Sequence, residues 1–178
     1  MSIFTQVKLN KPRRNNFNLS STRKQTMSMG VITLAGLWET IPGDTWKIKS
    51  NSLIRFAPLV SPVYHEISVY THYFFVPNRI VWKNWPKFIT GGEDGQQTPA
   101  FPTIKPAQPQ PEGTLWDYMG LPTVNAVANQ AEPATVSAIP FAGFQYIWAE
   151  FYRDQNLQNI AEEFYQLTDG DNSANQAL

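Results

Sequence analysis

Hydrophobic and polar positions alternate with a period of two over much of the first half of the chain. The longest run is 66–76. Ile67, Val69, Thr71, Tyr73 and Phe75 fall on one face of an extended ribbon, and Ser68, Tyr70, His72, Phe74 and Val76 fall on the other. Both faces are bulky, so the pattern predicts a strand covered on both sides. Val31 to Trp38 is a second β-branched, apolar run, and Ile41-Pro42-Gly43-Asp44 supplies turn chemistry after it. Trp46 and Ile48 then alternate with Lys47 and Lys49, and Leu53 to Val60 follows a polar Ser50-Asn51-Ser52 break, which predicts two further short strands. Pro77-Asn78-Arg79 ends the 66–76 strand, Ile80 to Ile89 forms a short amphipathic piece, and Thr90 to Gly95 breaks regular structure.

The pattern changes in the second half. Pro99, Pro102, Pro106, Pro109 and Pro111 punctuate residues 96–113, a composition that favours extended, poorly packed backbone and marks a long loop or insertion. Leu115 to Pro122 fits one helical turn stopped by Gly120 and Pro122. The long helical candidate is 141–167, where Phe144, Ile147, Trp148, Phe151 and Tyr152 repeat at i, i+3, i+4, i+7 and i+8, with Ile160, Phe164 and Tyr165 extending or following it. Such a stripe predicts a packing surface.

Composition sharpens this picture. The 178 residues suffice for one hydrophobic core, and 13% aromatic against 16% charged residues is rich in rings and poor in charge. That bias suits a subunit that meets neighbours, since aromatic residues are enriched and Lys, Glu and Asp depleted in interface centres; an unusually aromatic core explains it equally well. There is no cysteine, which removes disulfides, thiolate metal sites and a cysteine nucleophile. No stretch approaches the roughly 20 apolar residues of a membrane helix, and Met1 to Lys11 lacks the apolar centre of a secretory signal. A place in a cytoplasm or a particle is the expectation.

The net charge of zero hides an asymmetry. Lys8, Lys11, Arg13, Arg14, Arg23 and Lys24 precede residue 25 with no acidic residue among them, whereas Asp154, Glu162, Glu163, Asp169 and Asp171 follow Arg153 with no basic one. Residues 1–29 therefore form a basic, extended arm without a fold of its own, and 30–178 the folded portion. The arm is either a solvated tail or a segment that lies against nucleic-acid phosphates, where each neutralised phosphate releases counterions. Phe4 and Phe17 are placed to stack on unpaired bases in the second case.

Catalytic signatures are missing. His65 and His72 stand seven residues apart and point to opposite faces of a regular strand, which is wrong for a shared metal or an acid–base pair. There is no Walker-type loop, nucleophile elbow or His-Glu-x-x-His helix. Gly91 to Gly95 is a flexible acidic turn that suits a weak cation contact or no ligand, and the adjacent Glu162 and Glu163 diverge on a helix instead of converging on a cleft. No cofactor, metal or catalytic residue is expected.

Three stretches carry a family resemblance: Leu53-Ile54-Arg55-Phe56-Ala57-Pro58-Leu59-Val60-Ser61-Pro62-Val63; Val69-Tyr70-Thr71-His72-Tyr73-Phe74-Phe75-Val76-Pro77-Asn78-Arg79-Ile80-Val81-Trp82 with Phe88-Ile89-Thr90-Gly91-Gly92; and Ile147 to Leu157. From about Gly30 to Asn159 the sequence resembles the major capsid proteins of microviruses, particularly the gokushovirus branch, in their amino-terminal portion. The resemblance implies a mainly β fold, part of a viral jelly roll of two antiparallel sheets, with long insertions that include the 141–167 helix. It also implies icosahedral assembly around a circular single-stranded DNA, in a virion built in the host bacterial cytoplasm. Subunits of that family are normally much longer, so the jelly roll is expected to be incomplete within these residues. A jelly roll short of strands exposes unpaired edges and an uncovered apolar face, and so is expected to be soluble only with the rest of its subunit.

The partners expected are other copies of the capsid protein, the rest of the subunit, packaged single-stranded DNA and other virion proteins, with no membrane. Lys8, Lys11, Arg13, Arg14, Arg23 and Lys24 are the expected nucleic-acid contacts, although such an arm can also bind neighbouring subunits. Trp82, Trp85, Trp116 and Trp148 are the candidate anchors of insertions or neighbours, against which stands ordinary packing inside the subunit. The competing function is an independent β-rich module that binds nucleic acid or carbohydrate, separable from the capsid reading by its small size in solution.

Overall fold

The computed structural model of the chain describes residues 12–106, 110–123, 134–160 and 164–173. Among the described residues, regular structure begins directly after the Pro77 that ends the alternating run. Pro77, at φ −65° and ψ 134°, leads into helix α1 (Asn78–Val81), and helix α2 (Trp85–Thr90) follows with Pro86 in its first turn. A proline there costs no intrahelical hydrogen bond, because the first N–H groups of a helix have no partner in any case. Gly91 stops α2 in the left-handed region at φ 78°, its N–H donating to the Lys87 carbonyl at 2.8 Å. A β-carbon at Gly91 would sit 2.7 Å from the Gly95 carbonyl oxygen, so this turn admits no side chain.

Strand β1 (Thr103–Ile104) pairs antiparallel with strand β2 (Val136–Ser137), Thr103 opposite Ser137 and Ile104 opposite Val136. Helix α3 (Leu115–Tyr118) lies between them in sequence and gives way to Gly120 at φ 82°, the single turn expected from the Gly and Pro signals. Helix α4 (Ile139–Ile147) leads directly into a π-helical turn at Trp148–Tyr152. The segment 164–173 then crosses back over two earlier pieces of chain. It bridges Trp82 to Leu167 and Thr103 to Asp171, both parallel, through Leu167 N–H to Val81 O, Thr103 N–H to Gly170 O and Asn172 N–H to Thr103 O, each 2.8 Å.

These elements enclose a small core of Val81, Trp82, Ile104, Trp116, Ala138, Phe141, Ala142 and Leu167. Burying one side chain the size of Phe141 contributes roughly 1.5–3 kcal/mol, so a core of this size supports one compact cluster and little more. All of its members come from residue 81 onward.

The first half of the described chain differs from its sequence pattern. The strands expected over 31–38, 46–49, 53–60 and 66–76 carry no hydrogen-bonded ladder among the described residues. A strand is a paired object, and among the described residues these segments make no backbone ladder bonds to one another. The alternation itself survives: the Tyr70, His72 and Phe74 rings are spaced at 6.4 and 6.2 Å, close to the roughly 6.6 Å that two residues of extended chain span. On the opposite face the Tyr73 hydroxyl donates to Ser50 Oγ at 2.5 Å.

Two further expectations are corrected. Within the stretch 96–113, residues 101–106 are extended but not poorly packed, because Pro102, Ile104 and Pro106 are fully buried. Prolines at 102 and 106 bring apolar rings without an N–H to satisfy, while the intervening amides of Thr103 and Lys105 donate to Gly170 O and Ser173 Oγ, both at 2.8 Å. The helix expected over 141–167 runs instead from Ile139 to Tyr152, and its buried face is Ala138, Phe141, Ala142, Gln145 and Ala149 rather than the ring stripe. Alanines at 138, 142 and 149 allow close approach to the core, which leaves the larger rings to the flanks.

Candidate interaction surfaces

The Trp82 side of the core is an aromatic cluster held by one carboxylate. Trp82 is 1% exposed and packs with Trp85, Phe88 and Phe101 at ring distances of 6.2, 5.3 and 5.8 Å, in the tilted and edge-on arrangements that aromatic quadrupoles favour. Its indole N–H donates to Asp169 Oδ1 at 2.8 Å, and the Asn84 amide donates to both carboxylate oxygens at 3.0 and 2.8 Å. Asn84, Lys87, Gln97, Thr98, Pro99 and Asp169 border an open polar hollow of about 250 Å³ beside it. The carboxylate at its edge is already engaged by two donors, so the hollow presents no free acid or base from that residue.

Asn172 locks the crossing segment. It is fully buried, and its side chain is satisfied on every side: Oδ1 accepts from the Thr168 N–H at 2.8 Å and the Thr168 hydroxyl at 3.0 Å, while Nδ2 donates to the carbonyls of Thr168 at 2.8 Å and Gly170 at 2.9 Å. Next to it the Ser173 hydroxyl and the Ser173 N–H both donate to Asp171 Oδ1, and these bonds hold the Asp171 carboxyl below its ordinary range. Nothing in the sequence pattern singles out Asp169 or Asn172. A Thr-Asp-Gly-Asp-Asn-Ser run carries only the signal of a turn.

A second aromatic group joins the two halves of the chain. His72 stacks on Tyr152 with centroids 5.9 Å apart and planes 11° apart, and its Nδ1 lies 2.5 Å from the Tyr152 hydroxyl. Phe74 meets Phe151 at 4.8 Å. The extra residue of the π-turn places Phe151 and Tyr152 where they meet the even-numbered face of the 66–76 ribbon.

Elsewhere the ribbons of 31–76 are largely uncovered by the described residues. Val31, Leu37, Trp38, Ile48, Leu53, Phe56, Leu59, Val63, Tyr64, Val69, Tyr70, Tyr73 and Phe75 are all exposed, Leu53 to 91%. Large apolar side chains left open in such number mark a surface suited to further protein contacts.

The candidate site residues fall into distinct environments. Lys8 and Lys11 lie outside the described residues, whereas Arg13, Arg14, Arg23 and Lys24 are exposed along the arm. Arg23 is engaged within the chain, donating to the Tyr118 carbonyl. Of the two readings open for Trp82 and Trp116, packing inside the subunit is the one their burial matches: at 1% and 2% exposure they are enclosed by their own chain, Trp116 packing against Phe141 at 5.7 Å and donating to Pro122 O at 2.9 Å. Trp85 is partly buried against that core, and Trp148 is half-buried beside Phe164 at 6.1 Å.

The two histidines are not brought together in any metal site, and among the described residues no group of three or more His, Cys, Asp or Glu is placed to hold a metal ion. Nor is any described helix long and apolar enough to cross a membrane. The Glu162 and Glu163 pair lies outside the described residues.

Comparison with known proteins gives these surfaces their context. The family described as "Capsid protein (F protein)" matches residues 5–178. The chain is 35% identical over 164 residues, 87% of its length, to the capsid protein VP1 of Chlamydia phage 1, and 34% identical over 158 residues, 86% of its length, to that of Bdellovibrio phage phiMH2K. To the capsid protein VP1 of Spiroplasma virus 4 it is 27% identical over 156 residues, 88% of its length. The chain spans 26% of the first of these relatives and 28% of each of the other two. With a family match over almost its whole length, and two relatives above 30% identity, the chain belongs to the F-protein family of phage capsid proteins.

Proposed function

We propose that the chain is a structural, non-enzymatic part of an icosahedral capsid subunit of a single-stranded DNA bacteriophage, in which its 31–76 ribbons become strands of a viral jelly roll. The observation that carries this reading is the ribbon itself. It keeps a strict two-residue alternation, has large apolar side chains on both faces and leaves them open to solvent. Segments of that kind gain stability only when further strands supply ladder partners and a second sheet covers the apolar face. The cluster from residue 76 onward would then act as an insertion docked on the sheet through Val76, His72 and Phe74.

Membership of the capsid family supports copies of the same subunit as partners, with the rest of the subunit completing the sheets. The basic arm is assigned to the packaged genome, where Lys8, Lys11, Arg13, Arg14 and Lys24 meet phosphates without distinguishing bases. Trp85 and Trp148 remain the tryptophans suited to contacts between subunits. Assembly in the host cytoplasm follows from the same reading.

Electron microscopy of the assembled protein tests the shell: closed icosahedral particles are expected, and discrete small particles without shells would contradict it. Replacing Lys8, Lys11, Arg13, Arg14 and Lys24 with Ser tests the arm. Packaged DNA is expected to fall and its retention to become more salt-sensitive, whereas unchanged genome content would remove the arm from DNA contact.

A further inference from the structure

The base of the basic arm is fastened to its own chain at two points of one tyrosine. The Arg23 guanidinium donates to the Tyr118 carbonyl, and the Tyr118 hydroxyl donates to the Thr26 carbonyl at 2.9 Å. Tyr118 is the last residue of α3, where carbonyl oxygens have no partner within the helix and accept readily from a cation. The residues just beyond are stitched as well. Gln25 Nε2 donates to Thr33 Oγ1 at 3.3 Å, and a turn closed by Val31 N–H to Ser28 O at 3.3 Å passes through Gly30 at φ 80°. Two reciprocal bonds across separations of 95 and 92 residues, followed by a turn that holds the strand end, define a fixed path instead of a free tail.

We infer that residues 23–26 form an intrachain strap over α3, with Arg23 as a positioning residue that sets where the arm leaves the folded cluster. Arg23 then drops out of the set of basic residues open to a partner, and the reach of the arm is counted from residue 22 toward the amino terminus. The strap does not depend on the arm meeting DNA: it would place the same residues if the arm met a neighbouring subunit.

Residues 1–178 contain no cysteine, so Thr26→Cys combined with Tyr118→Cys places one thiol pair within them, at the two residues now joined by the tyrosine hydroxyl and the Thr26 carbonyl. Arg23 still finds its acceptor in this variant, because that acceptor is main chain. In the assembled protein, a short bismaleimide is expected to join the two thiols within one chain, giving a linked peptide at unchanged subunit mass. Adding Arg23→Gln is expected to lower the yield about fivefold, the equivalent of one hydrogen bond of about 1 kcal/mol. Links between two chains at doubled mass, absence of a link, or a yield indifferent to Arg23→Gln would each overturn the strap. None of these outcomes bears on whether the particle contains DNA.

Discussion

The carboxylate of Asp169 lies 2.8 Å from the indole nitrogen of Trp82, across 87 residues of sequence, and it is the acceptor that lets a tryptophan occupy the centre of this core. A buried indole N–H without an acceptor costs about 1–3 kcal/mol. Asp169→Ala is therefore expected to destabilise the protein by about that amount, and Trp82→Ala by about 3–5 kcal/mol through the cavity it leaves. The informative variant is Trp82→Phe. It removes the donor together with part of the ring, so adding Asp169→Ala to it is expected to cost less than in the parent, as a double-mutant cycle on denaturant midpoints checks. Equal costs in both backgrounds would mean that Asp169 stabilises the fold through Asn84 alone.

Asn172 makes a sharper prediction, because its amide both donates and accepts. Asn172→Asp preserves the shape but turns two donated bonds, to the carbonyls of Thr168 and Gly170, into contacts between oxygens. At neutral pH the substitution is expected to destabilise by several kcal/mol, more than Asn172→Ala. The introduced carboxyl has its folded pKa raised, since only its protonated form can donate to either carbonyl. The penalty should therefore shrink as the pH falls toward that value. Denaturation of the variant at several pH values measures this directly.

The pH response of the natural chain runs in the opposite sense at Asp171. Its pKa is lowered chiefly by the hydrogen bond from the Ser173 hydroxyl and then by that from the Ser173 N–H. A carboxyl whose folded pKa lies below its unfolded value contributes stability that is fully present above the unfolded pKa and is lost as pH falls through the folded one. Ser173→Ala removes the larger of the two causes and is expected to move the Asp171 titration upward toward the ordinary carboxylate range, which carboxyl-resolved NMR titration would show. An unchanged titration would assign the shift to the backbone bond alone.

Legibility of the fold in the sequence followed the range of the interactions involved. Local signals were visible: Pro77 and Gly91 bounding α1 and α2, and Gly120 with Pro122 ending α3, because cap and turn chemistry resides in consecutive residues. The alternation of 66–76 was equally visible and survives in the ring spacing of Tyr70, His72 and Phe74. The buried face of α4 was not, since ring content points to Phe144, Trp148 and Phe151 whereas close packing selects Ala138, Ala142 and Ala149. For Trp82 and Trp116 the sequence left packing inside the subunit and contact with insertions or neighbours equally open, and the role of Asp169 was hidden. That role depends on the segment 164–173 returning over residues 80–105, a long-range pairing that no local pattern encodes. Among the candidate site residues, charge asymmetry located the arm, but the fastening of Arg23 to Tyr118 became visible only once α3 was in place.

If the 31–76 ribbons find their cover outside residues 1–178, this polypeptide by itself cannot close its own apolar faces. Sedimentation of the isolated chain, with its thermal transition recorded on the same material, decides the point. Association into larger species, or a chain without a cooperative transition, is the predicted result. A discrete 20.2 kDa monomer that melts in one cooperative step would contradict it.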